Sequence, residues 1–172
     1  MEPTTQTSKE YFKALLLLHT AFIAGQVCFG LIVSFLVVSG KVNSGSADLS
    51  VVFAYVVPIF VLIGLSGSNY IYKSKLSKLR SSNDLKYKMF NYRVALIIRY
   101  AFLEGPTLFA IIVALLTGNL IFLVFAGLLL SFMIYWRPVK NRIIADLGLS
   151  TEEVAIINDP DSIIAEFNGK RS

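Results

Sequence analysis

The 172-residue chain is 55% hydrophobic and only 16% charged, and its mean hydropathy is +0.67. Soluble globular domains carry about 25% charged residues, so this composition excludes an ordinary soluble domain and indicates a membrane protein. Cys28 is the only cysteine, which excludes an intrachain disulfide, a cysteine-based metal site and a redox pair. No motif calls for a cofactor, and the net charge of +5 predicts no nucleic-acid partner, because the basic residues lie where membrane topology explains them.

Four apolar runs follow the N-terminal segment 1–13. A bilayer core of about 30 Å requires roughly 20 helical residues, and lipid offers no hydrogen-bond partner to an unpaired backbone. We therefore predict an all-α fold, a four-helix transmembrane bundle within a membrane domain over 14–142, followed by a cytoplasmic tail over 143–172. The predicted spans are 14–38, 49–72, 94–116 and a short fourth span at 120–136.

The basic residues predict the orientation of these spans. Seven of the 16 lysines and arginines lie in segment 73–93, between spans two and three, whereas only Lys41 lies in a loop on the opposite side. The positive-inside rule places such basic segments in the cytoplasm. We therefore predict a multi-pass inner-membrane protein with both termini and segment 73–93 cytoplasmic, and with span one as a retained anchor, since it is too long for a signal-peptide core.

An internal repeat relates the two halves of the chain. Span one aligns with span three at a constant offset of 80, and span two aligns more weakly with span four at an offset of 63. The matched positions include Ala21 with Ala101, Phe22 with Phe102, Gly25 with Gly105, Val33 with Val113, Gly64 with Gly127, and Ser68 with Ser131. The repeat predicts two tandem hairpins related by a pseudo-two-fold axis along the membrane normal.

Small residues one helical turn apart recur in both halves. The pairs are Ala21 with Gly25, Ala101 with Gly105, Gly64 with Ser68, and Gly127 with Ser131. In lipid such positions let helix backbones approach closely, although small residues also occur in spans without such a contact. We predict that spans one and three cross at Gly25 and Gly105.

Glu104 is the most costly residue in the predicted spans. It lies eleven residues beyond Arg93, about 16 Å along a helix and close to the bilayer midplane. An ionised carboxylate there costs about 3 kcal/mol or more, so we expect Glu104 to be protonated, paired or facing water. Tyr100 and Thr107, at i−4 and i+3, are placed to contact it.

Two prolines occur inside the apolar spans. Pro58 and Pro106 each remove a backbone donor and leave the carbonyl four residues earlier without its helical partner, so both are predicted to kink their helices. Gln26 lies at the depth that the repeat assigns to Pro106. We predict that Gln26, Glu104, Tyr55 and the freed carbonyls meet in one buried polar cluster.

Arg99 and His19 are predicted to form an interfacial site. Arg99 lies six residues beyond Arg93, so its long side chain can reach the headgroups and anchor the helix. A direct pair with Glu104 is poorly aimed, because five residues place the two side chains about 140° apart. His19 lies in the cytoplasmic third of span one, within reach of water or a headgroup.

Segment 73–93 mixes basic residues with aromatic and large apolar ones. It acts either as a topology signal alone or as a surface for anionic lipid headgroups, and we expect span two to continue into it as a helix until residues 81–84. In the tail, Ser150 with Glu153 predicts a capping box, and Asp159 with Pro160 predicts the start of a second short helix. These helices fold back on segment 73–93 or dock a partner.

Two resemblances accompany these patterns. Residues 100–116, "YAFLEGPTLFAIIVALL", resemble the ion-carrying helix of the ring-forming proteolipid subunit of rotary ATP synthases, whose membrane carboxylate takes up and releases an ion. The glycine-rich first helix and polar turn of that family are absent here. Residues 92–150, with "RYAFLEGP", "LTGN", "RP" and "DLGLS", resemble small uncharacterised four-span bacterial membrane proteins, which implies a location and no activity.

We consider three functions for these residues. The first is a non-enzymatic subunit or accessory of a membrane assembly, with another membrane protein or a second copy as partner. The alternative is a small proton-coupled or cation-coupled transporter or channel in which Glu104 titrates. An enzyme acting on lipid ranks third, since His19, Arg99 and Glu104 are too few for a mechanism.

Overall fold

The computed structural model describes residues 4–42 and 47–167, which form six helices and two short strands. In chain order these are β1 (Thr4–Thr7), α1 (Ser8–Val38), α2 (Ala47–Arg80), α3 (Leu85–Thr117), α4 (Phe122–Tyr135), α5 (Lys140–Leu147), α6 (Thr151–Asn158) and β2 (Ile163–Phe167). The predicted helical class is confirmed, and the two strands were not predicted. Part of the predicted exterior loop, 43–46, and the end of the predicted tail, 168–172, lie outside the described residues.

Three of the described helices are long and apolar enough to cross a membrane: α1 with 31 residues, α2 with 34 and α3 with 33. Helix α4 has 14 residues, about 21 Å at 1.5 Å per residue. It is followed after a short break by α5, and this pair counts as a fourth crossing only if taken as one broken span. The membrane character predicted from composition is therefore confirmed.

The chain divides into two compact units. We call residues 1–19, 71–98 and 138–172 the terminal unit, and residues 20–70 and 99–137 the apolar unit. This division differs from the linear segments predicted from sequence, because the first turns of α1, the end of α2 and the start of α3 belong with the tail. Each unit has its own core.

The terminal unit contains the helical continuation of both middle spans. Tyr72, Leu76 and Leu79 recur at helical spacing along α2 and are buried, which explains why the helix continues to Arg80 through a basic segment. Residues 81–84 end it, as predicted. The Oδ1 atom of Asp84 then accepts hydrogen bonds from the N–H groups of residues 86 and 87 at 2.9 and 3.2 Å, capping the start of α3.

A two-stranded antiparallel sheet joins the two ends of the chain. Thr7 of β1 pairs with Ile163 of β2, and the register shifts by one residue between Gln6 and Thr7. The first amides of α1 continue this contact, because the N–H of Ser8 donates to Ser162 O at 2.9 Å and that of Lys9 to Pro160 O at 3.2 Å. The C-terminal segment thus caps the first helix.

The tail forms two helices and a strand. Helix α5 ends at Gly148, whose positive φ of 59° gives the left-handed cap that glycine favours. Helix α6 begins with the predicted capping box between Ser150 and Glu153. The second helix predicted after Asp159 is wrong: the chain turns there and enters β2, because β1 supplies a strand partner that no local pattern reveals.

The apolar unit is built around α3. Among its described residues, α2 packs on α3 through Phe60 and Phe109, whose ring centroids are 5.1 Å apart, and α1 approaches α3 at Gly30, 3.8 Å from Ile111 Cδ1 as measured from an ideal Cβ position. Helix α4 buries Leu129. The four-helix bundle and its pseudo-two-fold symmetry stay predictions, since α2 and α4 differ in length by 20 residues, 34 against 14.

Candidate functional site

The predicted crossing of spans one and three at Gly25 and Gly105 is wrong. Both glycines are exposed, and an ideal Cβ on either would have no neighbour within 4 Å among the described residues. Their small partners Ala21 and Ala101 are exposed as well. The helices α1 and α3 instead meet through larger side chains, with the rings of Phe22 and Tyr100 5.6 Å apart.

Gly64 is the small residue that makes a close helix contact. An ideal Cβ there would lie 2.6 Å from Pro106 Cγ and 2.8 Å from the carbonyl oxygen of Phe102. That carbonyl is the one that Pro106 deprives of its helical donor. Because glycine carries a hydrogen where the Cβ would be, a Cα–H of Gly64 points at the freed oxygen. Ser68, one turn on, is buried and bonds within its own helix, to Leu65 O.

The matching pair on α4 makes no such contact. Gly127 and Ser131 are exposed, nothing described lies within 4 Å of an ideal Cβ on Gly127, and the Ser131 hydroxyl donates to Gly127 O at 2.8 Å within the helix. The weaker half of the repeat, which relates α2 to α4, thus differs in packing.

The prolines interrupt neither α2 nor α3, each of which is one continuous helix through Pro58 or Pro106.

Glu104 does not lie in the predicted polar cluster. It is half-buried, and its carboxylate makes no hydrogen bond or ion pair with any residue in 4–42 or 47–167. Tyr55, predicted to join it, is 71% exposed. The reason is helical geometry: Phe53 and Phe60 of α2 pack on Phe109, and Tyr55 lies about 200° around the helix from Phe53.

Gln26 is buried, 1% exposed, but turns towards α4. Its Nε2 donates to Phe22 O at 3.0 Å and lies 3.5 Å from the Sδ of Met133. Its Oε1 is buried and has no hydrogen-bond partner in the described chain. The apolar unit therefore contains an amide oxygen that the described residues leave unsatisfied, at a free-energy cost.

Tyr100 and Thr107 are buried, as expected for core-facing positions of α3, but neither is shown contacting Glu104. Tyr100 packs on Phe22, and the Thr107 hydroxyl donates to Leu103 O at 2.8 Å. Both side chains are fully covered.

Arg99 and His19 are buried rather than interfacial, so the prediction of headgroup contact is wrong. Arg99 is 5% exposed and His19 4%. The guanidinium carbon of Arg99 lies 3.7 Å from the centroid of the Trp136 ring, a cation–π contact that replaces solvation by headgroups. Trp136 closes α4 as the cap residue, and this tie between α3 and α4 was not predicted.

A polar network missed from the sequence lies in the terminal unit. The hydroxyl of Tyr72 is 2.7 Å from Asp146 Oδ2 and 3.0 Å from the hydroxyl of Tyr92, and the Tyr92 hydroxyl is 3.4 Å from the same carboxylate oxygen. These residues belong to α2, α3 and α5. The carboxylate thus joins three helices through two buried tyrosines.

Charged contacts attach the rest of the tail. The Nζ of Lys88, a side chain only 5% exposed, donates to Glu153 at 2.8 Å, and Lys86 pairs with Glu166 at 3.3 Å. Burial alone would raise the pKa of Glu153, but hydrogen bonds from Lys88 and from the Ser150 N–H hold this pKa below its ordinary value. Of the two alternatives left open by the sequence, folding back on segment 73–93 or docking a partner, these contacts show the first.

Two arginines make further contacts within the terminal unit. Arg80 donates from Nε to Asp146 O at 2.7 Å, where the last carbonyls of α5 lack helical partners. Arg93 donates to Gln6 at 2.6 Å and lies 4.6 Å from the Tyr11 ring centroid. Most of the aromatic and large apolar residues of 73–93 are buried in the core of the terminal unit. One sequence signal indicates this burial, namely the helical spacing of residues 72, 76 and 79.

No group of three or more histidine, cysteine, aspartate or glutamate side chains that could hold a metal ion occurs in 4–42 and 47–167. Neither a protein-family model, nor a curated protein, nor a solved structure matches the chain. The geometry of the chain itself is therefore the basis for assigning a function.

Proposed function

We propose that the chain crosses the inner membrane four times, with both termini and the α2–α3 connection in the cytoplasm. The pairing of β1 with β2 supports this topology, because strands that share hydrogen bonds lie on the same side of a bilayer. A chain whose β1 and β2 lie on one side crosses the bilayer an even number of times between them. Helix α4 then returns the chain after α1, α2 and α3.

The limits of the apolar unit support the same topology. Residues 20–38 of α1 and 99–117 of α3 each contain 19 residues, about 28 Å of helix, close to the 30 Å of a hydrocarbon core. Tyr70 and Tyr135 are 76% and 69% exposed and lie near the limits of the unit, as interfacial aromatics do. Beyond Tyr70, the exposed Lys73 is placed for anionic headgroups.

On this topology the protein is a non-enzymatic subunit or accessory of a larger membrane assembly. The observation that carries this proposal is Glu104, which lies half-buried on a spanning helix without a partner in the described chain. It is five residues inside the apolar unit, about 8 Å, nearer the cytoplasmic side than a count from Arg93 predicts. A carboxylate in hydrocarbon is costly, so a neighbouring membrane protein that covers it stabilises the complex.

The size of the particle in native membrane tests this proposal. Protein extracted directly into polymer nanodiscs is expected to show a mass above that of one copy by mass photometry. Gly105→Leu fills open space without a clash inside the chain, so it should release single copies. Gly127→Leu on α4 is the matched control, since it fills equally open space away from Glu104. A single-copy mass for the wild-type protein contradicts the proposal.

The alternative is a carrier in which Glu104 takes up and releases a proton or cation. The incomplete burial of Glu104 favours it, because a carrier group must be reachable. Glu104→Gln keeps the shape of the side chain and removes its titration. Loss of proton-driven flux in proteoliposomes at unchanged folded yield supports the carrier, and unchanged flux excludes it.

A further inference from the structure

We propose that the flank of α3 carrying Glu104 binds a transmembrane helix of a different protein, and that this helix directs a basic side chain at the Glu104 carboxylate. The inference rests on the proposed function and states the chemistry of the partner.

Two contacts define where Glu104 lies. Helix α1 packs on α3 at Phe22 and Tyr100 and again at Gly30 and Ile111. Glu104 is four residues after Tyr100 and seven before Ile111, so it lies on the same side of α3 as both contacts. Its side chain is only partly buried and therefore lies at the edge of the α1–α3 contact.

The surface beside this edge is open to another helix. Gly105 adjoins Glu104, Gly25 lies on α1 between the two contacts, and neither has a described neighbour within 4 Å of an ideal Cβ. A foreign helix can thus approach both backbones closely. This open surface alone does not identify the binding partner, whereas the charge of Glu104 indicates the chemistry of the partner.

A second copy of this chain does not supply the opposite charge. The described part of the apolar unit contains three cationic side chains, Lys41, Arg99 and Arg137. Lys41 lies beyond the far end of α1, over the Phe35 ring, Arg99 is buried on Trp136, and Arg137 follows α4 and has contacts of its own. None is exposed at the depth of Glu104, so charge complementarity indicates a different protein.

The side-chain direction limits where that basic group lies. Side chains of a helix lean towards its N-terminus, and the N-terminal end of α3 is cytoplasmic in the proposed topology. The Glu104 carboxylate therefore leans towards the cytoplasmic side. The partner helix is expected to carry its lysine or arginine in the cytoplasmic third of its span.

A synthetic probe tests this chemistry without knowledge of the natural partner. Purified protein in liposomes is mixed with a leucine–alanine transmembrane peptide that carries one lysine in its cytoplasmic third, or leucine at that position, and association is measured by energy transfer. The lysine peptide is expected to bind at least about tenfold more tightly, a difference of about 1.4 kcal/mol. A lysine moved to the opposite third should lose this advantage.

Variants of Glu104 complete the test. Glu104→Leu should abolish the preference for lysine, and Glu104→Lys should transfer it to a peptide with aspartate at the same position, whereas Ser131→Ala on α4 should change nothing. Because Glu104 makes no hydrogen bond or ion pair in the described chain, Glu104→Leu should bind neither peptide preferentially while its thermal unfolding stays close to that of the wild-type protein. Equal binding of both peptides, or a preference that survives Glu104→Leu, overturns the inference.

The oligomeric state separates this inference from the proposed function. If the native particle contains only copies of this chain and Glu104→Gln separates them, the partner is a second copy. That result overturns the inference and leaves the proposed subunit function intact. If the native particle is a single copy, both are overturned.

Discussion

Gly64 and Gly105 occupy equivalent sequence settings, each a small residue one turn from another, yet their surroundings differ completely. Gly64 lies against Pro106 and the freed carbonyl of Phe102, whereas Gly105 faces open surface. The difference arises from Pro106, whose missing N–H leaves an oxygen that only a very close backbone can cover. A spacing rule for small residues does not include this requirement.

Gly64→Ala is expected to destabilise the protein by about 1–3 kcal/mol, because the new methyl group would lie 2.6 Å from Pro106 Cγ and 2.8 Å from a backbone oxygen. Unfolding by a denaturing detergent in mixed micelles measures the change. Gly127→Ala, which meets nothing within 4 Å, should leave stability unchanged or slightly raised. Equal effects of the two substitutions would contradict the close contact.

Gln26→Met is expected to stabilise the protein by about 1 kcal/mol. The substitution removes the buried Oε1 that has no described partner and fills the same volume with apolar atoms. The same detergent-unfolding assay measures the difference, with Thr107→Val as the control, since the Thr107 hydroxyl is bonded to Leu103 O. A loss of stability in Gln26→Met would mean that a molecule outside this chain satisfies the oxygen.

At the scale of elements, the sequence predicts the apolar portions of the long helices better than their polar ends. The apolar runs require helices because lipid leaves the backbone no other partner. The structure of the polar ends depends on contacts between residues far apart in the chain. Tyr72 hydrogen-bonds to Asp146, and Lys88 pairs with Glu153. The periodicity of residues 72, 76 and 79 indicates a buried face, but the local sequence does not show which segment of the chain covers this face.

The same limit applies to the candidate site. Burial of Gln26, Tyr100 and Thr107 follows from their positions on core-facing stripes of helix. The separation of Tyr55 from Glu104 depends on the rotation of α2 against α3, which the aromatic contact of Phe60 with Phe109 sets. Such rotation is decided by packing between helices and is not encoded in residue depth alone.

The ion pair between α3 and α6 leads to an asymmetric prediction. Glu153→Gln leaves the charge of Lys88 buried at 5% exposure and should destabilise the terminal unit by about 3 kcal/mol. Lys88→Met should cost far less, because Glu153 keeps its hydrogen bond from the Ser150 N–H and is partly exposed. Hydrogen exchange of the α6 amides measures both, and the double variant should recover most of the loss.

The lowered pKa of Glu153 makes docking of α6 dependent on pH. Because the folded state favours the carboxylate, the stabilisation is complete above the ordinary value of 4.5 and is lost as the pH falls through the lowered folded value. Hydrogen exchange of α6 between pH 7 and pH 3.5, corrected for intrinsic rates, should show increased opening only below about 4.5. In Lys88→Met the dependence should be weaker. Opening that increases above pH 5 would contradict this assignment.

At the scale of the whole molecule, the terminal unit is assembled from three separate stretches of chain. It requires the N-terminal segment, the middle connection and the tail to share one side of the membrane. Basic residues predict that this side is the cytoplasm, and the β1–β2 pairing supports a shared side for its two strands without identifying it.

Cysteine labelling tests this arrangement. In a Cys28→Ser background, single cysteines are introduced at three exposed positions, Lys9, Glu152 and Asn119. A membrane-impermeant maleimide added to intact cells should label only the Asn119→Cys variant, and the other two should react only after the cytoplasmic face is opened. Labelling of Glu152→Cys but not of Lys9→Cys in intact cells would show an odd number of crossings between these two positions.

The strand pairing of Thr7 with Ile163 also cannot form until both strands have been synthesised. A ribosome adds about 5–20 residues per second, so β1 waits roughly 8–30 seconds until β2 has been synthesised. During this interval the opening turn of the first helix has neither Ser162 nor Pro160 to accept from its amides. A translation product that stops before β2 therefore leaves β1 without its strand partner and the first amides of α1 without these acceptors.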